Sequence, residues 1–499
     1  MDAKVVAAAR AAFPAADAAI TLGAPLHDGA CLPEPLVRLP LAMCNRHGLI
    51  AGATGTGKTK TIQLMAEQLS GAGVPVFLAD VKGDVSGVGA PGEARPRTEQ
   101  RAKETGWTWK GAACPVEFLS LTGARGAQLR ATVSSFGPLL LAKVLGLNDT
   151  QTSVLSLVFK YSDDHQLELL NFADLRAVLQ HLTGTGAAEL KFYGGMSPAT
   201  VGVLLREMVE LEQQGALAFF GEPEFDLGDL FQVERDGRGL VSVLELTDVQ
   251  DKPALFSTFM MWMLARLYHT LPEVGDVEKP KLVFFFDEAH LLFDGASKAF
   301  LDQVQQVVRL IRSKGVGIFF VTQSPKDVPA DVLGQLGHRV QHALRAFTPD
   351  DAKALKAAAR TFPTTDFYDV EQTLTSLGIG EALVTVLSPA GVPTPPFATR
   401  LVPPASRMGP LTDAELRQRL ASSAQVRRYA TAVDSPSAAE KLATPAASAP
   451  TAGPAPAAGP SRLEEILRSP VARSVAVTVA GALTRGIMGA LLGPQRRRR

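Results

Sequence analysis

The stretch Gly52-Ala-Thr-Gly-Thr-Gly57-Lys58-Thr59 fits the pattern G-x-x-x-x-G-K-[ST] in full, and it limits the fold more than any other stretch of the chain. It follows the apolar "HGLIA" and precedes the helix-periodic "TIQLMAEQLS", so it reads as strand, glycine loop and helix. Glycines let backbone N–H groups wrap phosphate oxygens without Cβ clashes, and a helix N-terminus adds a favourable dipole. Gly52, Thr54, Gly55, Thr56, Gly57, Lys58, Thr59 and Lys60 are therefore expected to cradle the phosphates of ATP. Lys58 is expected to reach β- and γ-phosphate oxygens, and Thr59 to ligate Mg²⁺ through its hydroxyl.

Such a loop needs an acidic strand end. "LVFFFDE" supplies it, with five apolar residues followed by Asp287 and Glu288. Asp287 is expected in the Mg²⁺ shell, and Glu288 is placed to polarise the attacking water as general base, which favours hydrolysis over phosphoryl transfer. The letters D-E-A-H at this point also name a helicase family. Those enzymes carry tandem RecA-like domains, a Ser-Ala-Thr motif and a late Gln-x-x-Gly-Arg-x-Gly-Arg motif. Neither motif occurs here and there is one P-loop, so Ala289 and His290 read as ordinary residues opening the next helix. Further on, "VVRLIRSKGVGIFFVTQSP" reads as a helix ending near Arg312, a buried strand, and then Gln323. Gln323 is placed to sense the γ-phosphate or its attacking water. Arg312 stands where ring ATPases reach into a neighbour's site.

The apolar runs in "VPVFLADVKGD", "GLVSVLELTDV", "KLVFFFDE" and "GVGIFFVTQSP" repeat the pattern of strands buried on both faces, with helical stretches between them. The expected fold class is α/β, a RecA-like P-loop NTPase core with a mainly parallel sheet. We expect a short N-terminal segment over 1–45, opened by an amphipathic helix rather than a signal peptide. The ATPase core is expected over 46–120 and 231–405, around a mainly helical insertion at 121–230. A disordered Pro/Ala-rich linker is expected over 406–460, because it has little bulky apolar surface to offset chain entropy. A basic amphipathic tail follows over 461–499, and Arg485 argues against its crossing a membrane.

Lys plus Arg, 50, equals Asp plus Glu, 50, so any nucleic-acid site must be a local basic surface. Cys31, Cys44 and Cys114 make no Cys-x-x-Cys pair, which suits a reducing cytoplasm. His338 and His342 lack a third ligand and read as structural. Lys143, Lys160 and Arg206 read as ordinary solvated cations.

The stretches "NRHGLIAGATGTGKT", "VFLADVKGDVSG", "FFFDEAHLLF", "SKGVGIFFVTQSPKDVP" and "VLGQLGHRVQHALRAFTPDD" together resemble the HerA–FtsK superfamily of ring-forming DNA-translocating ATPases. The resemblance is greater to the bacterial HerA-like proteins of the YjgR type. It implies a homo-oligomeric ring, a hexamer, and ATP-driven movement on double-stranded DNA. It also implies that Arg312 acts in trans and that Gln323 is the sensor. Arg339 and Arg345 become candidates for interface or nucleotide contacts. Asp80, Lys82 and Asp84 match a charged motif after the second strand, with a suspected relay to DNA or a neighbouring subunit. HerA enzymes dock a nuclease on an N-terminal β-barrel, whereas only about 45 residues precede the P-loop strand here, too few for that barrel. Any protein partner is thus unidentified. Three alternatives stay open: a ring ATPase acting on protein, an ATP-gated assembly scaffold, and a membrane-tethered DNA pump resting on the C-terminal tail alone.

Overall fold

The computed structural model describes residues 2–15, 18–293 and 298–443. Among these, thirteen strands join in one sheet. They are β1 (Ala19–His27), β2 (Ala30–Cys31), β3 (Val37–Pro40), β4 (Gly48–Ala51), β5 (Val76–Asp80), β6 (Val116–Ser120) and β7 (Ala127–Gln128). The chain continues with β8 (Val241–Glu245), β9 (Leu282–Phe286), β10 (Val316–Thr322), β11 (His338–His342), β12 (Glu381–Thr385) and β13 (Phe397–Leu401). The spatial order is β2-β1-β13-β12-β11-β4-β10-β9-β5-β8-β6-β7, with β3 also paired to β1. Neighbours from β11 to β7 run parallel; from β11 to β2 they run antiparallel.

The central parallel strands β4, β5, β9 and β10 read as apolar runs because both of their faces are covered. Along β9, Phe284 and Phe286 enter one apolar cluster with Leu49, Phe77 and Phe320, while Phe285 enters another with Ile50, Leu78 and Phe319. The first cluster extends into the helices Asp149–Asp164, Phe172–Thr183 and Pro198–Gln213 through Leu155, Leu175 and Leu204. The helix Asp2–Ala12 buries Val5 and Ala9 in the second.

One topological feature positions the site. From β4 the chain passes through the P-loop and the helix Lys58–Gly71 to β5, skipping the places later filled by β10 and β9. The carboxyl ends of β4, β10, β9 and β5 therefore open side by side at one edge of the sheet.

The expected linker needs correction where it is described. Residues 413–422, 424–429 and 438–443 are helical and packed on the core. Apolar content is low, as read, but polar anchors of long sequence range order the segment. The Ala405 and Ser406 N–H groups donate to the Glu67 carboxylate at 2.7 and 2.9 Å. Buried Tyr429 donates its hydroxyl to Asp229 at 2.7 Å and accepts Arg130 on its carbonyl at 2.8 Å. The rest of the linker and the whole tail lie outside the described residues. No described helix is long and apolar enough to cross a membrane.

Candidate ATP site

The P-loop leaves β4 through Gly52, whose φ is 154°. A Cβ there would lie 2.5 Å from that of His342, so the turn admits only glycine. The loop is braced by Ala53 N–H donating to Ala343 O and Gly380 N–H donating to Thr56 O, each at 2.9 Å. Thr54 and Gly55 form the exposed crest, and Thr56 donates its hydroxyl to Ala53 O at 2.7 Å. Buried Lys58 folds onto the carbonyls of Gly52 and Ala53 at 2.7 and 3.2 Å. Burial pushes its pKa down, with the Glu288 carboxylate pulling the other way. Lys60 donates to Gln63 at 3.2 Å. With Gly57, Thr61, Arg97, Arg101 and Arg400 it also lines a cavity of about 930 Å³, room for a nucleoside beside the first turn of the P-loop helix.

Thr59 donates its hydroxyl to Asp84 Oδ2 at 3.2 Å. Carboxylate oxygens of Asp80, Asp84 and Asp287 lie within 4.8 Å of one another. Asp80 is already engaged, accepting from the N–H groups of Gly83 and Val85 at 2.8 and 2.9 Å. Asp84 Oδ1 and Asp287 Oδ2 are buried without a hydrogen-bond partner. Such orphaned hard oxygens beside a threonine hydroxyl fit Mg²⁺, so Thr59, Asp84 and Asp287 would hold it. Mg²⁺ would there neutralise phosphate charge.

Burial, reinforced by the Glu288 charge, pushes the Asp287 pKa up to about 7. Ligation needs the ionised carboxylate, so Mg²⁺ binding is expected to weaken as pH falls through about 7. Thermal-shift titrations of Mg²⁺ at pH 6 and pH 8 check this, the larger stabilisation being expected at pH 8, and Asp84→Asn should reduce it at both.

Glu288 pairs with Lys82, and its second oxygen lies 3.2 Å from His290 Nδ1. Burial opposes its charged form, but Lys82, supported by His290 and Lys58, outweighs burial and holds its pKa below the usual glutamate value. His290 thus stands beside Glu288. That proximity was hidden in the sequence because a histidine four residues beyond a strand end declares no partner. Lys82 and Asp84 were legible only as charges in a motif; the pairing of β5 with β9 brings them to Glu288 and Thr59.

Gln323, exposed, follows β10, which lies between β4 and β9, so it stands between the P-loop and the acidic pair. The turn behind it is fixed by Thr322 and Ser324 bonding to Asp327 at 2.6 and 3.0 Å. Arg312 is not brought to this site. It lies at the amino end of β10, about 20 Å of strand away at roughly 3.3 Å per residue, and is exposed. Arg339 is half-buried in β11, and Arg345 is exposed just beyond it. His338 bonds to Met43 O at 2.7 Å and His342 to Thr61 at 2.9 Å. Burial pushes both pKa values down to about 4, and neither histidine belongs to the acidic cluster at Thr59. Lys143 bonds to Gln303 at 2.6 Å, and Lys160 pairs with Asp164.

Known proteins show the following likenesses. The chain is 28% identical over 165 residues to "Probable helicase MJECL08" of Methanocaldococcus jannaschii, a match covering 31% of this chain and 29% of that relative's length. Among solved structures, the plasmid coupling protein TrwB in complex with the ATP analogue ADPNP aligns with a TM-score of 0.50 and 15% identity, over 79% of this chain and 91% of that one. VirB4 of Thermoanaerobacter pseudethanolicus aligns with a TM-score of 0.48 and 16% identity, over 77% of this chain and 96% of that one. At such identities the TrwB likeness concerns the fold alone. The family model "Helicase HerA-like C-terminal" matches residues 29–462, most of the chain, which therefore belongs to that family of P-loop ATPases.

Proposed function

We propose that the chain hydrolyses ATP with Mg²⁺ as one subunit of a homo-oligomeric ring, a hexamer, and couples turnover to translocation on double-stranded DNA. Lys58 and the loop N–H groups bind the β- and γ-phosphates, while Thr59, Asp84 and Asp287 hold Mg²⁺. Glu288 takes the proton from the attacking water, Gln323 orients that water, and Arg312 neutralises charge in the neighbouring subunit's site.

The observation that carries the ring is the place of Arg312, exposed and a full strand length from its own P-loop. A guanidinium there serves another subunit's phosphates or none. The helicase name borne by the family and by the M. jannaschii relative supports a nucleic acid as the track. Free Cys31, Cys44 and Cys114 suit a reducing cytoplasm.

Steady-state ATPase activity with and without duplex DNA, at low and moderate salt and with oligomer mass recorded, tests this. Stimulation by DNA that weakens as salt rises is expected. Turnover that ignores DNA at every salt would instead point to a ring acting on protein.

A further inference from the structure

The loop after β5 touches both halves of the catalytic centre, and the hydrolysis described above uses only its Asp84. The loop is held in one shape. Fully buried Asp80 ties down Gly83 and Val85, and Gly83 has a φ of 76°, where a Cβ would meet Thr247 Cγ2 at 2.8 Å. That shape delivers Lys82 to Glu288. The Glu288 side chain is 5% exposed and that of Lys82 is 44% exposed, so the anion is enclosed while the cation has an open side. Glu288 has a φ of 48°, a left-handed conformation a glutamate keeps only where its surroundings hold it.

The Glu288 carboxylate has one oxygen on the Lys82 ammonium, while the other, 3.2 Å from His290 Nδ1, makes no hydrogen bond. The ion pair holds the Glu288 carboxylate on Lys82 rather than on an attacking water, and a departing ammonium needs another anion. Asp84, two residues on from Lys82, accepts from Thr59 of the P-loop helix and shares an acidic cluster with Asp287, the neighbour of Glu288. Lys82 thus stands in the field of the triphosphate site.

We propose that Lys82 is a latch on the general base: without nucleotide it holds Glu288, and when ATP binds it moves its ammonium to a γ-phosphate oxygen, freeing the Glu288 carboxylate. With ADP, which lacks that oxygen, Lys82 stays on Glu288. Lys82 is then a positioning residue that makes turnover answer to the γ-phosphate. The latch rests on the ATP-site reading of this chain and needs neither DNA nor the ring.

The test is equilibrium binding of ADPNP and of ADP, each with Mg²⁺, by titration calorimetry on the full chain. A Glu288→Gln background removes both hydrolysis and the carboxylate charge. Adding Lys82→Ala to it is expected to weaken ADPNP binding by about tenfold, the scale of one hydrogen bond to a charged group, and to leave ADP binding unchanged. Adding Lys82→Arg instead should retain most of the preference for ADPNP. Equal affinity for ADPNP with and without Lys82, or an equal loss for both nucleotides, overturns the latch and leaves Lys82 a structural partner of Glu288. Failure of both the unaltered chain and the Glu288→Gln protein to bind either nucleotide removes the ATP-site reading itself, and the latch with it.

Discussion

Arg312→Ala is expected to lower ATP turnover by roughly 10³–10⁵-fold, the range of a transition-state arginine in phosphoryl transfer, while the oligomer persists. The effect follows from placement. The turn Arg312–Lys314 ends at Gly315 with a φ of 77°, and Asn45 Nδ2 donates to Arg312 O at 3.5 Å, so the backbone is set while the side chain is exposed. In its own subunit the length of β10 separates it from Gln323. The decisive measurement is complementation. Arg312→Ala and Glu288→Gln subunits, each inactive alone, are co-expressed and their shared rings assayed. Interfaces that join an intact Glu288 to a neighbour's intact Arg312 should regain turnover. Mixed rings as inactive as their parents would place Arg312 outside the chemistry.

Glu288→Gln is expected to lower kcat by about 10²–10⁴-fold, the contribution of a positioned general base. The substitution keeps size and shape and removes the proton-accepting charge. Asp287 is not expected to take over, because its free oxygen would hold the metal beside Thr59. Nucleotide binding should survive, since Lys58 is anchored on Gly52 and Ala53 independently of Glu288. Single-turnover hydrolysis measured beside nucleotide binding separates the two. Loss of binding together with turnover would show instead that the carboxylate organises the whole site.

Much of this site was legible in the sequence, for reasons that are local. The full G-x-x-x-x-G-K-[ST] pattern between a strand and a helix points to phosphate binding, and Asp287-Glu288 after five buried residues places its acids at a strand end whatever the rest of the chain does. Gln323 was legible by the same logic, because a residue that ends a buried strand emerges at the edge where its parallel neighbours end. Composition misled over residues 406–443, where Tyr429, Glu67 and Asp229 order a segment poor in bulky apolar side chains. Hydrogen bonds between residues hundreds of positions apart leave no periodic trace.

The sequence by itself determined the strand–loop–helix proposed to bind phosphate, the strand-end acids proposed to serve the metal and the water, and the two-faced burial of the central strands. Each follows from local sterics or from a period of two in side-chain direction. Only the tertiary structure decided that Asp84 joins Thr59, that Lys82 and His290 flank Glu288, and that Arg312 faces away from its own site. Those relations depend on which strands become neighbours. The crossover from β4 to β5 leaves places that β10 and β9, more than two hundred residues later, come to fill.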